Sequence, residues 1–354
     1  MTQGAWSHRR PAPRSTTWVA VLGLLLALAP WSAVSAAPAA VLTNVQAAIA
    51  WSRFTFTNGT APTALLARDD SFADALTSGS VQGALNAPLL LTNGSKLSPE
   101  TATELKRLGA KRVIIIGGAQ SVSPGVEGEA KALNLTTERV GGATPPETAV
   151  AVAAKFFPNA STAVVAPVAP QASADLLAAS TFAAQKKTPI LLTETAKLSA
   201  ATEQYLQGTS PQGSKLKSFV IAGGDSVVSP AVADALAGFK PAGGTGFEKA
   251  EVVRVSGPNR FATAVAFAKQ LGYADAKAAP RVILLQGQGT TWANGLASAA
   301  QAGKGAATVL INGDTLPPES ATFLNGGSKT PLVCGPAISK NACDGAGKLL
   351  GLAP

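Results

Sequence analysis

The sequence predicts an α/β protein built from three tandem open parallel-sheet domains of the Rossmann-like kind. Three observations lead there. Short apolar stretches alternate with alanine-rich helical stretches, the pattern of parallel strands buried on both faces by crossover helices. The same blocks recur three times along the chain. Small turns rich in Gly, Ser and Pro separate them.

The elements follow in order. Met1 to Ala36 reads as a secretory signal peptide: Arg9, Arg10 and Arg14 precede an apolar run from Trp18 to Ala29, and Val34-Ser35-Ala36 fits a small-residue cleavage site. The run is shorter than the about 20 apolar residues a membrane span needs, so no transmembrane anchor is expected after cleavage. Helical apolar spacing then marks Gln46 to Phe56, Thr148 to Phe157 and Thr263 to Leu271. Each leads into an extended segment, at Ala64 to Ala67, Thr162 to Ala166 and Arg281 to Leu285. A polar turn, a helix and a short strand come next: ARDDSFADALTSGSVQGALNAPLLLT from Ala67, PQASADLLAASTFAAQKKTPILLT from Pro170, GTTWANGLASAAQAGKGAATVLIN from Gly289. Lys96-Leu97-Ser98, Lys197-Leu198-Ser199 and Thr315-Leu316-Pro317 each open a further helix. The last block is a strand, a turn and a helix start: RVIIIGGAQSVSP from Arg112, SFVIAGGDSVVSP from Ser218 and PLVCGPAISKN from Pro331. Ser123-Pro124 and Ser229-Pro230 fit an N-cap followed by proline at the first helical position. The expected division is a leader at 1–36 and repeats at 37–137, 138–250 and 251–354, with a Gly-rich linker at 240–249.

Composition excludes much. The chain has 354 residues, one His, two Cys, 29 Lys+Arg and 20 Asp+Glu. The one histidine, His8, lies in the leader. A mature chain without histidine has no Ser-His-Asp or Cys-His nucleophile and no imidazole base or ligand. Two cysteines cannot build a four-thiolate zinc site. No cofactor and no metal are expected. Chemistry by carboxylate pairs or Ser-Lys survives, but no copy carries a cluster of acids of its own. Without the three leader arginines, 26 basic residues face 20 acidic ones, a net charge of +6. That favours anionic partners and is too sparse for nucleic acid.

These blocks resemble the cell wall-binding repeat 2 family of bacterial surface proteins. The resemblance rests on Asp70 to Thr92 and Val113 to Ser123, with their counterparts in the other copies. It implies a secreted, non-catalytic protein held non-covalently at the cell wall by an anionic glycopolymer. It also implies three modules in pseudo-threefold arrangement within one chain. The family's Arg-x-x-Gly-x-x-Arg-x-x-Thr start is complete only in the third copy, at Arg254, Gly257, Arg260 and Thr263. The second copy keeps Arg139, Gly142 and Thr148, with Pro145 for the second arginine. The first lacks the pattern, and Asn294 replaces the aspartate of Asp74 and Asp175. The rival readings are a small-ligand or solute-binding protein using the C-terminal sheet edge, and a wall-acting hydrolase.

Arg139, Arg254 and Arg260 are the candidate ligand contacts, because a guanidinium fork suits phosphate or carboxylate. They equally suit structural ion pairs, with Glu147 or a neighbouring repeat's Asp. The turns Gly117-Gly118 and Gly223-Gly224 lie between strand and helix, where free amides cradle anions; positive φ alone would also explain them. Asp74 and Asp175 fit the start of a helix as caps. Trp51 and Trp292 fit the core better than sugar platforms. Cys334 and Cys343, in an oxidising compartment, are expected to pair, a reactive thiol being the alternative. Cys334 is expected level with Ile116 and Ala222, and Cys343 level with Gly125. Polymer chemistry and oligomeric state are not legible.

Overall fold

Every strand pairs in parallel, and the strands form three separate sheets. The computed structural model describes residues 1, 42–168, 173–208, 215–240, 250–288, 292–325 and 329–353. The leader and positions 241–249 of the linker lie outside the described residues. Residues 42–353, where described, belong to one compact unit.

The first sheet and its helices run α1 (Asn44–Thr55), β1 (Thr63–Arg68), α2 (Phe72–Leu85), β2 (Leu89–Thr92), α3 (Pro99–Leu108), β3 (Arg112–Ile116), α4 (Pro124–Ala132) and β4 (Thr136–Val140). The second runs α5 (Pro145–Phe156), β5 (Thr162–Pro167), α6 (Ser173–Lys186), β6 (Ile190–Thr193), α7 (Ala200–Leu206), β7 (Ser218–Ala222), α8 (Pro230–Ala237) and β8 (Glu251–Val255). The third runs α9 (Arg260–Gln270), β9 (Val282–Gln286), α10 (Ala293–Leu296), α11 (Ala299–Ala302), β10 (Ala307–Ile311), α12 (Pro318–Leu324), β11 (Leu332–Cys334) and α13 (Lys340–Leu349). The sheet orders are β2-β1-β3-β4, β6-β5-β7-β8 and β10-β9-β11.

Local chemistry accounts for the helix starts. Thr43 with Gln46, and Thr144 with Glu147, form capping boxes that satisfy amides at both ends of the first turn. Ser123 caps α4 by accepting from Val126 N. Ser229 holds the N-cap position without that bond; its hydroxyl donates to Ala196 O at 3.4 Å. The alanine-rich helix expected in the block from Gly289 is two short turns, broken at Ala297-Ser298.

One feature exceeds the sequence reading, and a second meets it. The first is the fourth strand. β4 and β8 lie ahead of the helix that opens the next repeat, yet pair with the sheet behind them, Ile114 opposite Glu138 and Val220 opposite Val253. The position 137/138 therefore falls inside β4. The second is closure. α5 packs on α2 of one repeat and β6 of the next, and α9 likewise on α6 and β10. α1 packs on α10 of the third repeat and β2 of the first. The three bridging contacts form a ring, the pseudo-threefold arrangement of the three repeats.

At its centre α2, α6 and α10–α11 pack on one another. Small residues permit this. A Cβ on Gly83 would overlap the Ala184 backbone. Gln82 donates to Leu296 O at 2.9 Å, and Thr308 donates to Thr181 Oγ1 at 2.9 Å, so these polar groups of the seam are paired. Trp51 is buried, and the Trp292 ring meets Phe72 edge-on at 6.4 Å.

Cys334 and Cys343 form a disulfide with Cα atoms 5.9 Å apart. Its register differs from expectation by one residue. Cys334 lies opposite Leu284, as Ile115 lies opposite Leu66 and Ile221 opposite Val165. The turn equivalent to Gly117-Gly118 is thus Pro336-Ala337. Cys343 is the fourth residue after the N-cap Ser339, the place Glu127 holds after Ser123, and not that of Gly125. The cause is a shorter connection, three residues between Gly335 and Ser339 against six between Ile116 and Ser123.

Candidate functional site at the carboxyl edges of the sheets

A strand order of 2-1-3-4 places the topological switch at the carboxyl ends of the first and third strands, where open α/β sheets bind ligands. The glycine turns follow those third strands. Each site also borrows residues from the next repeat, because the fourth strand and the following helix reach over the edge.

In the first seam β3 leads into Gly117, with φ +125°, and Gly118. β4 leads into Gly141-Gly142. Gly117 N donates to Val140 O at 3.0 Å. A Cβ on Gly141 would lie 2.6 Å from Gly117 Cα, and one on Gly118 would overlap the Gly142 carbonyl oxygen. The two glycine pairs therefore interlock backbone against backbone. Arg139 is fully engaged here: Nη1 donates to Gly117 O and Gly118 O, both at 3.1 Å, and Nη2 pairs with Glu127 at 3.2 Å. The Glu127 carboxyl is held below the usual range by the Lys131 hydrogen bond, against some burial, with Arg139 adding to it. Thr148 Oγ1 accepts from Gly142 N at 3.3 Å. Asp74 does not cap α2. Ser71 holds the N-cap position, and Asp74 Oδ2 accepts from Ser121 Oγ at 2.6 Å, while its buried Oδ1 has no partner.

The second seam keeps this frame and opens it. Gly223 has φ +101°, and its amide donates to Val255 O at 3.0 Å. Arg254 Nη1 donates to Gly223 O at 2.9 Å, and Nη2 pairs with Asp225 at 3.0 Å. Asp225 is 67% exposed, so this pair is weakly held. Gly257 N donates to Thr263 Oγ1 at 3.0 Å, repeating Gly142 and Thr148. Arg260 Nη1 donates to Gly287 O at 2.7 Å. Asp175 is pushed above the usual carboxylate range by burial, opposed by the Thr263 hydroxyl and the Arg260 charge. Above Gly224, nothing among the described residues lies within 4 Å of where a Cβ would stand. The turn sealed in the first seam faces open space in the second.

The third edge is different again. Its sheet lacks a fourth strand among the described residues, and the shortened turn carries no Gly-Gly. Asn44 Nδ2 donates to Asp69 O at 2.8 Å, the position at which Arg260 meets Gly287. Asn294 Oδ1 is buried without a partner, like Asp74 Oδ1.

The structure thus brings Gly117, Gly118 and Arg139 together in one seam, and Gly223, Gly224, Arg254 and Arg260 in another. Each arginine has a protein partner, and none of those partners is Glu147. Sequence reasoning singled out Gly142 but missed Gly141 beside it, and missed Ser121, Glu127 and Asp225. Gly141-Gly142 was readable as a second glycine pair; the others had no signal.

The cell wall binding domain 2 (CWB2) family matches residues 33–127 and 139–233. N-acetylmuramoyl-L-alanine amidase LytC of Bacillus subtilis is 32% identical over 212 residues, covering 60% of this chain and 38% of the amidase. An uncharacterized protein of Pyrococcus horikoshii is 34% identical over 176 residues, covering 49% of this chain and 46% of that one. The chain thus spans less than half the length of either relative. Among solved structures, Cwp8 from Clostridium difficile superposes with a TM-score of 0.72 at 25% identity, covering 88% of this chain and 51% of Cwp8. Cwp6 from the same organism gives 0.68 at 21% identity, covering 87% and 49%.

Proposed function

Because the chain belongs to the cell wall binding domain 2 family, we propose that it attaches non-covalently to an anionic glycopolymer of the cell wall, with its principal contact at the second seam. The open space among the described residues above Gly224, beside Arg254 on Gly223 O, carries this reading, with Arg260 adding charge to the same seam. A phosphate or carboxylate of the polymer displaces the exposed Asp225 from Arg254 Nη2. Nη1 stays on Gly223 O, so the guanidinium remains oriented and the incoming anion gains a preorganised donor. In the first seam Arg139 holds two carbonyls and Glu127 beneath a closed glycine lock, which leaves no comparable opening.

The protein is secreted on this reading, and acts as a binder and not a catalyst. The leader pattern at 1–36 and the absence of histidine after it support both points. Among the described residues no helix is long and apolar enough to cross a membrane.

The test is co-sedimentation of the chain from Ala37 with purified cell walls, intact or stripped of secondary polymers, at low and high salt. We expect pelleting with intact walls only, weakened by salt. Arg254→Gln should weaken it about tenfold, the loss of one charge-assisted contact. Equal pelleting with stripped walls would move the target to peptidoglycan, and no pelleting would end the wall-binding reading.

A further inference from the structure

The opposite edge of the second sheet, where its strands begin, holds a cavity of about 500 Å³. The matching place in the first sheet is filled. There Glu138 of β4 accepts from both Arg112 of β3 and Lys155 of α5, and three long charged side chains occupy the space. The strand registers put Ser218 at the position of Arg112 and Val253 at that of Glu138. Gln270 is the eleventh residue after the N-cap of α9, as Lys155 is of α5. A hydroxyl, an isopropyl and an amide replace the charged cluster, and all three line the cavity.

The mouth differs too. Lys186 and Lys187 stand on it, where the first copy has Leu85 and Asn86. Both lysines are exposed, and neither has a partner among the described residues. Lys187 has φ +50°; its counterparts in that left-handed conformation are Asn86 and Gly305, residues that tolerate it far better. A lysine placed where it is conformationally disfavoured points to use of its charge. Lys215 adds a third cation near the rim through its hydrogen bond to Asn159 at 2.7 Å. Glu251 is the one carboxylate on the lining. Thr162 and Ser218 hydroxyls bond each other at 2.6 Å, which leaves one donor between them for a ligand.

We propose that this cavity binds a small phosphate-bearing polyol or sugar. Lys186 and Lys187 hold the phosphate. Glu251 and the Thr162–Ser218 pair take hydroxyls, and the carbon skeleton lies on Val253 and Phe182. The site is independent of the wall contact proposed above: it lies at the other end of the strands and uses neither Arg254 nor Arg260.

Calorimetric titration of the whole chain with glycerol 3-phosphate tests it, with glycerol and inorganic phosphate as controls. The expected result is saturable one-to-one binding of glycerol 3-phosphate, about tenfold or more tighter than phosphate, and no binding of glycerol. Lys187→Gly should weaken the affinity about tenfold while leaving the melting temperature unchanged or higher, since glycine suits the left-handed position. Transplanting the first seam's cluster, as Ser218→Arg with Val253→Glu and Gln270→Lys, should abolish binding. Competition by a phosphodiester-linked glycerol oligomer supports a polymer's terminal unit as the natural ligand; lack of competition supports the free compound. Absence of saturable binding up to about 10 mM, or affinity unchanged by Lys187→Gly, overturns the proposal. Wall co-sedimentation of Lys187→Gly should match the parent, so failure here is separable from failure of the wall reading.

Discussion

The first and second seams are built on one backbone plan and differ in what fills it. Both tie a turn glycine to the last residue of the fourth strand, both place an arginine of that strand on the turn carbonyl, and both set a threonine under the next glycine. In the first, a glycine lock closes the carboxyl edge and an Arg-Glu-Lys cluster closes the amino edge. In the second, both places are open. Repetition of the fold has kept the frame, while side chains decide how far each copy is filled. Among the described residues the first seam is packed shut at both edges, and the second is open at both.

The sharpest way to break this comparison is to add one methyl group to each turn. Gly118→Ala forces a Cβ into the Gly142 carbonyl oxygen, and neither backbone can retreat without dismantling the lock. We expect a loss of about 3 kcal/mol, the upper range for overpacking. Gly224→Ala meets nothing within 4 Å among the described residues and should stay within about 0.5 kcal/mol of the parent. Chemical denaturation of both variants measures the difference. Equal losses would mean that the two seams are not distinguished by packing.

A smaller effect sharpens the contrast through a buried charge. Glu104 of α3 is fully buried and accepts from Ser52 at 2.6 Å and from Arg107 at 2.6 and 2.8 Å. Counting from the helix N-caps, the second and third copies have Tyr205 and Phe323 there. Burial raises the Glu104 carboxyl, but Arg107 and Ser52 outweigh it and hold it below the usual range. A carboxyl lowered in the folded state gives stability that is complete above the ordinary glutamate value, about 4.3. That stability is lost as pH falls through the lowered folded value. Glu104→Gln should therefore cost about 2 kcal/mol at neutral pH, the range for hydrogen bonds to a charged group, and should flatten the acid limb of the stability curve.

Most of the fold was legible because its strands are buried on both faces. ILLT at Ile190–Thr193 and RVIII at Arg112–Ile116 carry no polar interruption after their first residue until the strand end, and period and length identify them. β4 was not legible for the converse reason. TTERV is an edge strand, largely half-exposed, with Glu and Arg in its middle, and it reads as a polar loop. That one omission concealed the rest of the site. Arg139 stood out in the sequence, yet its engagement depends on β4 lying beside β3, and two of its acceptors are backbone carbonyls that leave no trace in residue type. The cavity was hidden likewise: the repeats align Ser218, Val253 and Gln270 with Arg112, Glu138 and Lys155, but only the pairing of the fourth strand beside the third brings the three to one sheet edge. The one-residue error at Cys334 arose from aligning turns of unequal length.

The mildest change concerns Asp175, and it should act in the opposite sense to Glu104. Burial is the largest influence on its carboxyl and raises it; the Thr263 hydroxyl and Arg260 only partly compensate. Between the ordinary aspartate value, about 3.9, and the raised folded value, the folded chain binds the proton more readily than the unfolded one. Stability from this residue therefore increases as pH falls through that window, and at neutral pH the charged form is a net burden. Asp175→Asn keeps an acceptor for Thr263 and removes the charge, which is what the third copy does with Asn294. The variant should be at least as stable as the parent at pH 7, with its small gain vanishing in acid. Because Asp175 opposes an anion arriving at Arg260, the same variant should bind intact cell walls more tightly at low salt. A variant less stable at pH 7 and weaker on walls would instead make Asp175 a support of the second seam, and the openness of that seam would then need another origin than the loss of its packing.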